Sequence, residues 1–226
     1  MKVSLCATIY NSEDTAEEFV RSAVGLADEM VVVDGGSGDR TWPILTALSR
    51  EYTQLTAARF GRWVSRGRGR QLAFDRSSGD IVLQLDANVA YRNLDKYVAD
   101  YRARFPPSQL VNYGLVGRHR PDGETHFLIG TRAAWTAVGG YRDLYAYEDI
   151  DLARRAGPRY VESPIDLDDA IPLKVRGRTS WESDTKRYET SLPRRWLREM
   201  VSARDRIRVV GLRRAWPRPW ESWIRR

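Results

Sequence analysis

Ile81-Val82-Leu83-Gln84-Leu85-Asp86-Ala87-Asn88 is an apolar run that stops at a carboxylate. Its first five residues include four aliphatic side chains and no alternation with polar ones. That pattern suits a strand buried on both faces. An acid at the C-terminal tip of such a strand stands at the open edge of a parallel sheet, where ligands of α/β folds bind. Further along, Glu148-Asp149-Ile150-Asp151 opens a helical pattern continued by Leu152 and Ala153. One acidic stretch can hold a divalent cation and the other can take a proton. Together they predict metal-assisted group transfer from a phosphorylated donor.

Upstream of residue 81 the chain alternates between strand and helix patterns. Strands are expected over residues 3–9, 30–33 and 55–59, and the helices between them carry apolar residues at helical spacing (Phe19, Val20, Ala23, Val24, Ala27). Ser12 is a candidate helix cap, followed by Glu13, Asp14, Glu17 and Glu18 near the positive helix end. Asp34-Gly35-Gly36-Ser37-Gly38-Asp39 is a turn cluster after the second strand. Pro43 is tolerated in the first turn of the helix over 42–52. Arg66-Gly67-Arg68-Gly69-Arg70 reads as a flexible basic loop before a short helix over 70–77. This alternation predicts a largely parallel, doubly wound α/β sheet. The second half is less regular, with helices expected over 94–104, 131–138 and 149–155 and short strands over 110–116, 125–129, 159–161 and 171–175.

A chain of 226 residues can bury a full core. The single Cys6 excludes a disulfide framework, and His119 and His126 give no zinc-type spacing. The N-terminal run is too short and strand-like for a signal peptide, and no 18-residue apolar stretch spans a bilayer. The net charge of +7 is unevenly placed. Residues 191–226 hold eleven Arg against three acids, so the rest of the chain is near neutral. The same tail holds Trp196, Trp216, Trp220 and Trp223, half of the tryptophans. Trp196, Leu197, Met200 and Val201 give it an amphipathic helical face. Arg with Trp favours a membrane–water interface. The organisation expected is a catalytic domain over 1–178, then a polar loop and basic interfacial tail over 179–226.

Four stretches in order resemble family 2 glycosyltransferases with the GT-A fold. Residues 3–11 with the acidic helix resemble the family's opening strand and Tyr-Asn turn. Val31-Val32-Val33-Asp34-Gly35-Gly36-Ser37-Gly38-Asp39 resembles its Asp-Asp-Gly-Ser turn. Arg70-Gln71-Leu72-Ala73 through Gly79-Asp80 to Leu85-Asp86-Ala87-Asn88 resembles its Arg-Asn helix and DXD metal motif. Gly139-Gly140-Tyr141 with Glu148-Asp149-Ile150-Asp151-Leu152 resembles its Gly-Gly-Phe and Glu-Asp segment. The family commonly has Pro where Thr8 stands, a second Asp where Gly35 stands, and Asp where Asn88 stands.

The resemblance implies roles. Thr8, Tyr10, Asn11 and Asp34 would line the nucleoside pocket; the alternatives are core packing for Tyr10 and an Asx-type turn for Asp34. Arg70 would contact the base or diphosphate. Asp86, with Ala87 beside it, would bridge Mn²⁺ or Mg²⁺ to the donor diphosphate, and Asn88 would ligate through its amide oxygen without adding charge. Asp149 would take a proton from the acceptor hydroxyl, the alternative being complementation of the helix dipole. Glu148 would face the acceptor. Leu192-Pro193-Arg194-Arg195-Trp196 resembles the Gln-x-x-Arg-Trp motif of processive, cellulose-synthase-like members, with Leu192 replacing Gln, so Arg195 and Trp196 are acceptor candidates.

The function expected is a metal-dependent, inverting hexosyltransferase. It would use a GDP- or UDP-linked sugar and a polyprenyl- or dolichyl-phosphate-linked acceptor at the cytoplasmic membrane face. A dolichyl-phosphate hexose synthase acting directly on lipid phosphate is one alternative. Single-stranded nucleic-acid binding by the tail is another, which leaves the acidic motifs without a purpose; no nucleic-acid partner is expected. A sugar-phosphate nucleotidyltransferase would need a glycine-rich loop after the first strand, where Tyr10-Asn11-Ser12-Glu13-Asp14 stands.

Overall fold

A computed structural model describes residues 1–60, 64–114, 127–144 and 147–173, with positions 204 and 208. In chain order the elements are β1 (Val3–Ile9), α1 (Ala16–Ala23), β2 (Glu29–Asp34), α2 (Thr41–Glu51), β3 (Leu55–Arg59), α3 (Arg66–Arg76) and β4 (Ile81–Asp86). Then come β5 (Val89–Tyr91), α4 (Leu94–Arg104), β6 (Leu110–Asn112), β7 (Phe127–Thr131), α5 (Arg132–Val138), α6 (Glu148–Ala156), β8 (Tyr160–Glu162) and β9 (Ala170–Pro172).

β1 shows why the layers form. Leu5, Ala7 and Ile9 point to one face and Cys6 to the other, and all four are buried. The first face packs on Phe19 and Val20 of α1, Leu45 of α2 and Tyr97 of α4. The second packs on Leu72 of α3, Trp135 of α5 and Leu152 of α6. A strand apolar on both sides needs helices on both sides, since each fully buried aliphatic chain stabilises the fold by roughly 1.5–3 kcal/mol. The sheet order is β3-β2-β1-β4-β7-β6-β8. β3, β2, β1 and β4 run parallel. β7 is antiparallel to both β4 and β6, and β6 and β8 are parallel to each other. The C-terminal ends of β1, β2, β4, β6 and β8 therefore share one edge of the sheet. A small ribbon, β5 against β9, sits just past β4. Leu173 N donates to Asn88 O at its end (2.8 Å).

Two local expectations are corrected. The Arg66–Arg70 segment is helix, not a flexible loop: α3 starts at Arg66, with Ser65 in extended conformation accepting from Arg68 N (3.1 Å). Two helical glycines cost about 2 kcal/mol against alanine, and close packing explains their presence. A Cβ at Gly67 would overlap the Arg142 carbonyl oxygen, and one at Gly69 would overlap Thr8 Oγ1. The second correction concerns Ser12. α1 begins four residues later, at Ala16. Ser12 instead forms a preceding turn, its carbonyl accepting from Thr15 N (3.0 Å) and Ala16 N (2.8 Å) and its hydroxyl donating to Tyr10 O (3.0 Å). The expected boundary at 178 and the tail over 179–226, with Arg195 and Trp196, lie outside the described residues apart from positions 204 and 208. Among the described residues no helix is long and apolar enough to cross a membrane.

Candidate active site

The tips of β1 and β2 are stitched into one platform. Asn11, with φ 46°, takes a left-handed conformation that asparagine tolerates. Its backbone N donates to Ser37 Oγ (2.8 Å), and its Oδ1 accepts from Gly38 N (2.9 Å). Tyr10 lies over Gly35, where a Cβ would meet its ring at 3.6 Å. Asp34 is fully buried. Its carboxylate accepts from Ser37 N (3.1 Å) and Ser37 Oγ, and Arg59 Nε stands 3.2 Å away. This geometry builds the Asx-type turn weighed from sequence. Thr8 Oγ1 donates to Val33 O (3.2 Å), and Thr8 forms the surface on which Gly69 of α3 rests.

The second group gathers around Arg70. This side chain is almost wholly buried, and its Nη2 donates to Asp86 Oδ1 (2.8 Å). Its guanidinium lies 5.4 Å from the centre of the Tyr141 ring, and Nη1 reaches the Tyr141 hydroxyl at 3.4 Å. Nε stands 3.6 Å from Glu148 Oε1. Arg66 approaches the same Glu148 oxygen at 3.5 Å. Glu148 is fully buried, and no other described residue donates a hydrogen bond to either of its oxygens. Burial pushes its carboxyl above the usual range, against the downward pull of Arg66 and Arg70. Asp149, next along α6, is also buried, and its Oδ1 accepts from Ile150 N (2.8 Å). Thus β4 supplies Asp86, α3 supplies Arg70, and the first turn of α6 supplies Glu148 and Asp149. These four expected residues come together.

Two tyrosines escaped the sequence reading. Tyr91 brackets the Asp86 backbone: Asp86 N donates to Tyr91 Oη (3.0 Å), which donates to Asp86 O (3.1 Å). Nothing in a Val-Ala-Tyr run marks this role. Tyr141 belongs to the Gly139-Gly140-Tyr141 motif, but only the structure pairs it with Arg70. Asn88 is half-buried beside Asp86 and Ala87, its carbonyl engaged by Leu173. Arg195 and Trp196 lie outside the described residues.

The donor set suits a hard cation only in part. Among the described residues no group of three or more His, Cys, Asp or Glu side chains is arranged to enclose a metal. The Asp86 side chain keeps 20 % of its surface accessible at the sheet edge. One carboxylate and one amide oxygen fit the usual manner of Mg²⁺ or Mn²⁺ at phosphate sites, where diphosphate oxygens and water complete the shell. The residues therefore fit a cation that arrives with an anionic ligand.

Comparison with known proteins bears on the fold. Residues 4–97 match the glycosyl transferase family 2 model. Through that stretch, under half of its length, the chain is similar to glycosyl transferase family 2. The fold is GT-A. Staphylococcus aureus TarS 1–349, solved with UDP-GlcNAc, superposes with a TM-score of 0.63 at 18 % identity, over 92 % of this chain and 67 % of TarS. The mannosyltransferase PcManGT of Pyrobaculum calidifontis, solved with GDP-Man and Mn²⁺, also gives 0.63 at 18 % identity, over 92 % and 64 %. Glucosyl-3-phosphoglycerate synthase of Mycobacterium tuberculosis, solved with Mn²⁺, UDP and its product, gives 0.61 at 18 % identity, over 81 % and 75 %. A curated relative, the undecaprenyl-phosphate 4-deoxy-4-formamido-L-arabinose transferase of Edwardsiella ictaluri (strain 93-146), is 30 % identical over 94 residues, 38 % of this chain. The match spans only 29 % of that relative's length.

Proposed function

We propose that this chain catalyses metal-dependent, inverting transfer of a hexose from a GDP- or UDP-linked donor to a membrane-associated, lipid-phosphate-linked acceptor. The observation that carries the reading is the convergence of Asp86, Arg70, Glu148 and Asp149 at the ligand-binding edge of a GT-A sheet. The solved neighbours held with UDP-GlcNAc, with GDP-Man and Mn²⁺, and with UDP and Mn²⁺ support the donor class and the cation. The relative named for undecaprenyl-phosphate supports the acceptor class.

The platform of Tyr10, Asn11 and the Asp34 turn faces the nucleoside, and Arg70 faces the diphosphate. Asp86 and Asn88 would hold a divalent cation, which would supply Lewis-acid charge for the departing diphosphate. Asp149 accepts the proton of the acceptor hydroxyl as that oxygen attacks the anomeric carbon. The bond from that carbon to the diphosphate oxygen breaks, and its electron pair leaves with the nucleoside diphosphate. A single displacement inverts the anomeric centre.

The name of the curated relative favours a second reading, in which the acceptor is the lipid phosphate itself. Such an acceptor is already anionic and needs no strong base. Asp149→Asn separates the two. A loss of transfer of about 10²–10⁴-fold in a folded protein supports a hydroxyl acceptor; a loss of only a few-fold supports a phosphate. A thermal-shift panel of GDP, UDP, CDP and TDP with and without Mn²⁺ tests the whole proposal. One nucleotide stabilising only with metal is expected, and no response to any pair overturns it. The Arg/Trp-rich stretch over 191–226 would hold the enzyme at the cytoplasmic membrane face. Flotation with anionic vesicles, comparing full-length protein with the Trp216, Trp220 and Trp223→Ser variant, is expected to show loss of binding in the variant.

A further inference from the structure

We propose that Arg70 is the resident counter-ion of Asp86 and gives up this carboxylate to an incoming divalent cation by turning onto Glu148. The inference rests on the assignment of Asp86 to a cation in the proposed function.

Arg70 Nη2 donates to Asp86 Oδ1 at 2.8 Å, within the normal range for a charge-assisted hydrogen bond. A guanidinium and a divalent cation on one small carboxylate repel each other, and at a site this enclosed water screens them poorly. Either the cation binds weakly or the guanidinium moves. Arg70 has somewhere to go. Glu148 is fully buried, its oxygens receive no hydrogen bond from any other described residue, and Oε1 lies 3.6 Å from Arg70 Nε. That separation is an ion pair too long for a hydrogen bond. A small rotation closes it and gives the buried carboxylate the donors it lacks. The Tyr141 ring, 5.4 Å from the guanidinium carbon, offers a flat aromatic face along which the planar group can turn while keeping its cation–π contact. Gly67 seats the first turn of α3 against the 142 carbonyl and Glu148, so the helix stays put while the side chain moves.

Arg70 is on this account a positioning residue that makes the bare protein a poor cation binder. The diphosphate of the donor, itself anionic, helps draw the guanidinium off Asp86, so cation and nucleotide bind cooperatively. A free cation without nucleotide has to displace Arg70 unaided.

The test is Mn²⁺ binding followed by electron paramagnetic resonance, without substrate turnover. The variant is Arg70→Gln with Glu148→Gln, which removes one charge of each sign and so leaves the net charge of the site unchanged. It is expected to bind Mn²⁺ alone at least tenfold more tightly than wild type, and adding Asp86→Asn is expected to abolish the gain. Equal or weaker binding by the folded double variant overturns the inference. Should that variant not fold, the Arg70 Nε–H resonance of wild type reports the same event. It is expected to shift as Mg²⁺ is titrated, and a resonance unmoved at saturating Mg²⁺ overturns the inference. The two levels separate cleanly. Mn²⁺ uptake by wild type with GDP or UDP, but unchanged affinity for Mn²⁺ alone in the double variant, defeats the role of Arg70 only. No Mn²⁺ uptake by any form, with or without nucleotide, defeats the metal assignment as well.

Discussion

Single residues at this site differ in how far the sequence exposes them. Asp86 is legible because an acid that ends a doubly buried apolar run has one place to be in a parallel sheet. Asp149 is legible as an acid in the first turn of a helix. The burial of Glu148 is not, since three acids within four residues look like a solvated helix start, and only the approach of α3 shuts Glu148 away from water. Asp34 shows the converse. Its position at the strand tip suggested a ligand contact, but its engagement by Ser37 and Arg59 could not be read from the sequence. Asn88 carries a prediction of its own. It is half-buried next to Asp86 and adds an oxygen without a charge. Asn88→Asp adds that charge, so Mn²⁺ is expected to bind roughly tenfold more tightly, about 1.4 kcal/mol, in a calorimetric titration with nucleotide present.

At the scale of elements, periodicity located nearly every helix and strand and failed where tertiary contact overrode propensity. α3 is the clearest instance. Arg-Gly-Arg-Gly-Arg has poor helix propensity and no apolar stripe, so local pattern reads it as loop. The glycines are there because a backbone carbonyl and a threonine occupy the space their side chains would need. Gly67→Ala is therefore expected to destabilise the protein by about 1–3 kcal/mol despite better helix propensity, because the Arg142 carbonyl is backbone and yields little. Gly25→Ala, which meets nothing within 4 Å, is the control. Urea denaturation of both variants checks the contrast. The reversed β7 was equally hidden. A short apolar strand carries no mark of its direction, and the parallel pattern of the first four strands gave no warning.

For the molecule as a whole, the edge of the sheet opposite the site is clamped by acids, Glu29 foremost among them, with Asp28 and Asp80 beside it. Glu29 Oε2 accepts from Lys2 Nζ (2.7 Å) and Ser78 Oγ (2.9 Å), and Oε1 accepts from Gly79 N (3.2 Å). It thereby ties the starts of β1, β2 and β4 together. Burial alone would raise its carboxyl, but hydrogen bonds from Lys2, Ser4 and Ser78 outweigh this and lower it to about 2. A carboxyl depressed in the fold contributes its full stability above the unfolded value, near 4.5, and loses it as pH falls toward 2. Melting temperatures of wild type and Glu29→Gln are expected to differ most at neutral pH and to converge between about pH 4.5 and 2. This clamp was invisible in the sequence, which shows neither Glu29 nor Ser78 to be anything but polar residues near turns.

The central position of β1 has a further consequence, which concerns synthesis rather than catalysis. β1 lies between β2 and β4, and its register pairs Val3 with Ile81. Nearly eighty residues must leave the ribosome before that second edge is covered. At about 5–20 residues per second, β1 spends roughly 4–16 s with a bare hydrogen-bonding flank. The nascent chain is thus exposed to chaperones and to mispairing along β1, and slowing translation ahead of residue 81 should lengthen that window.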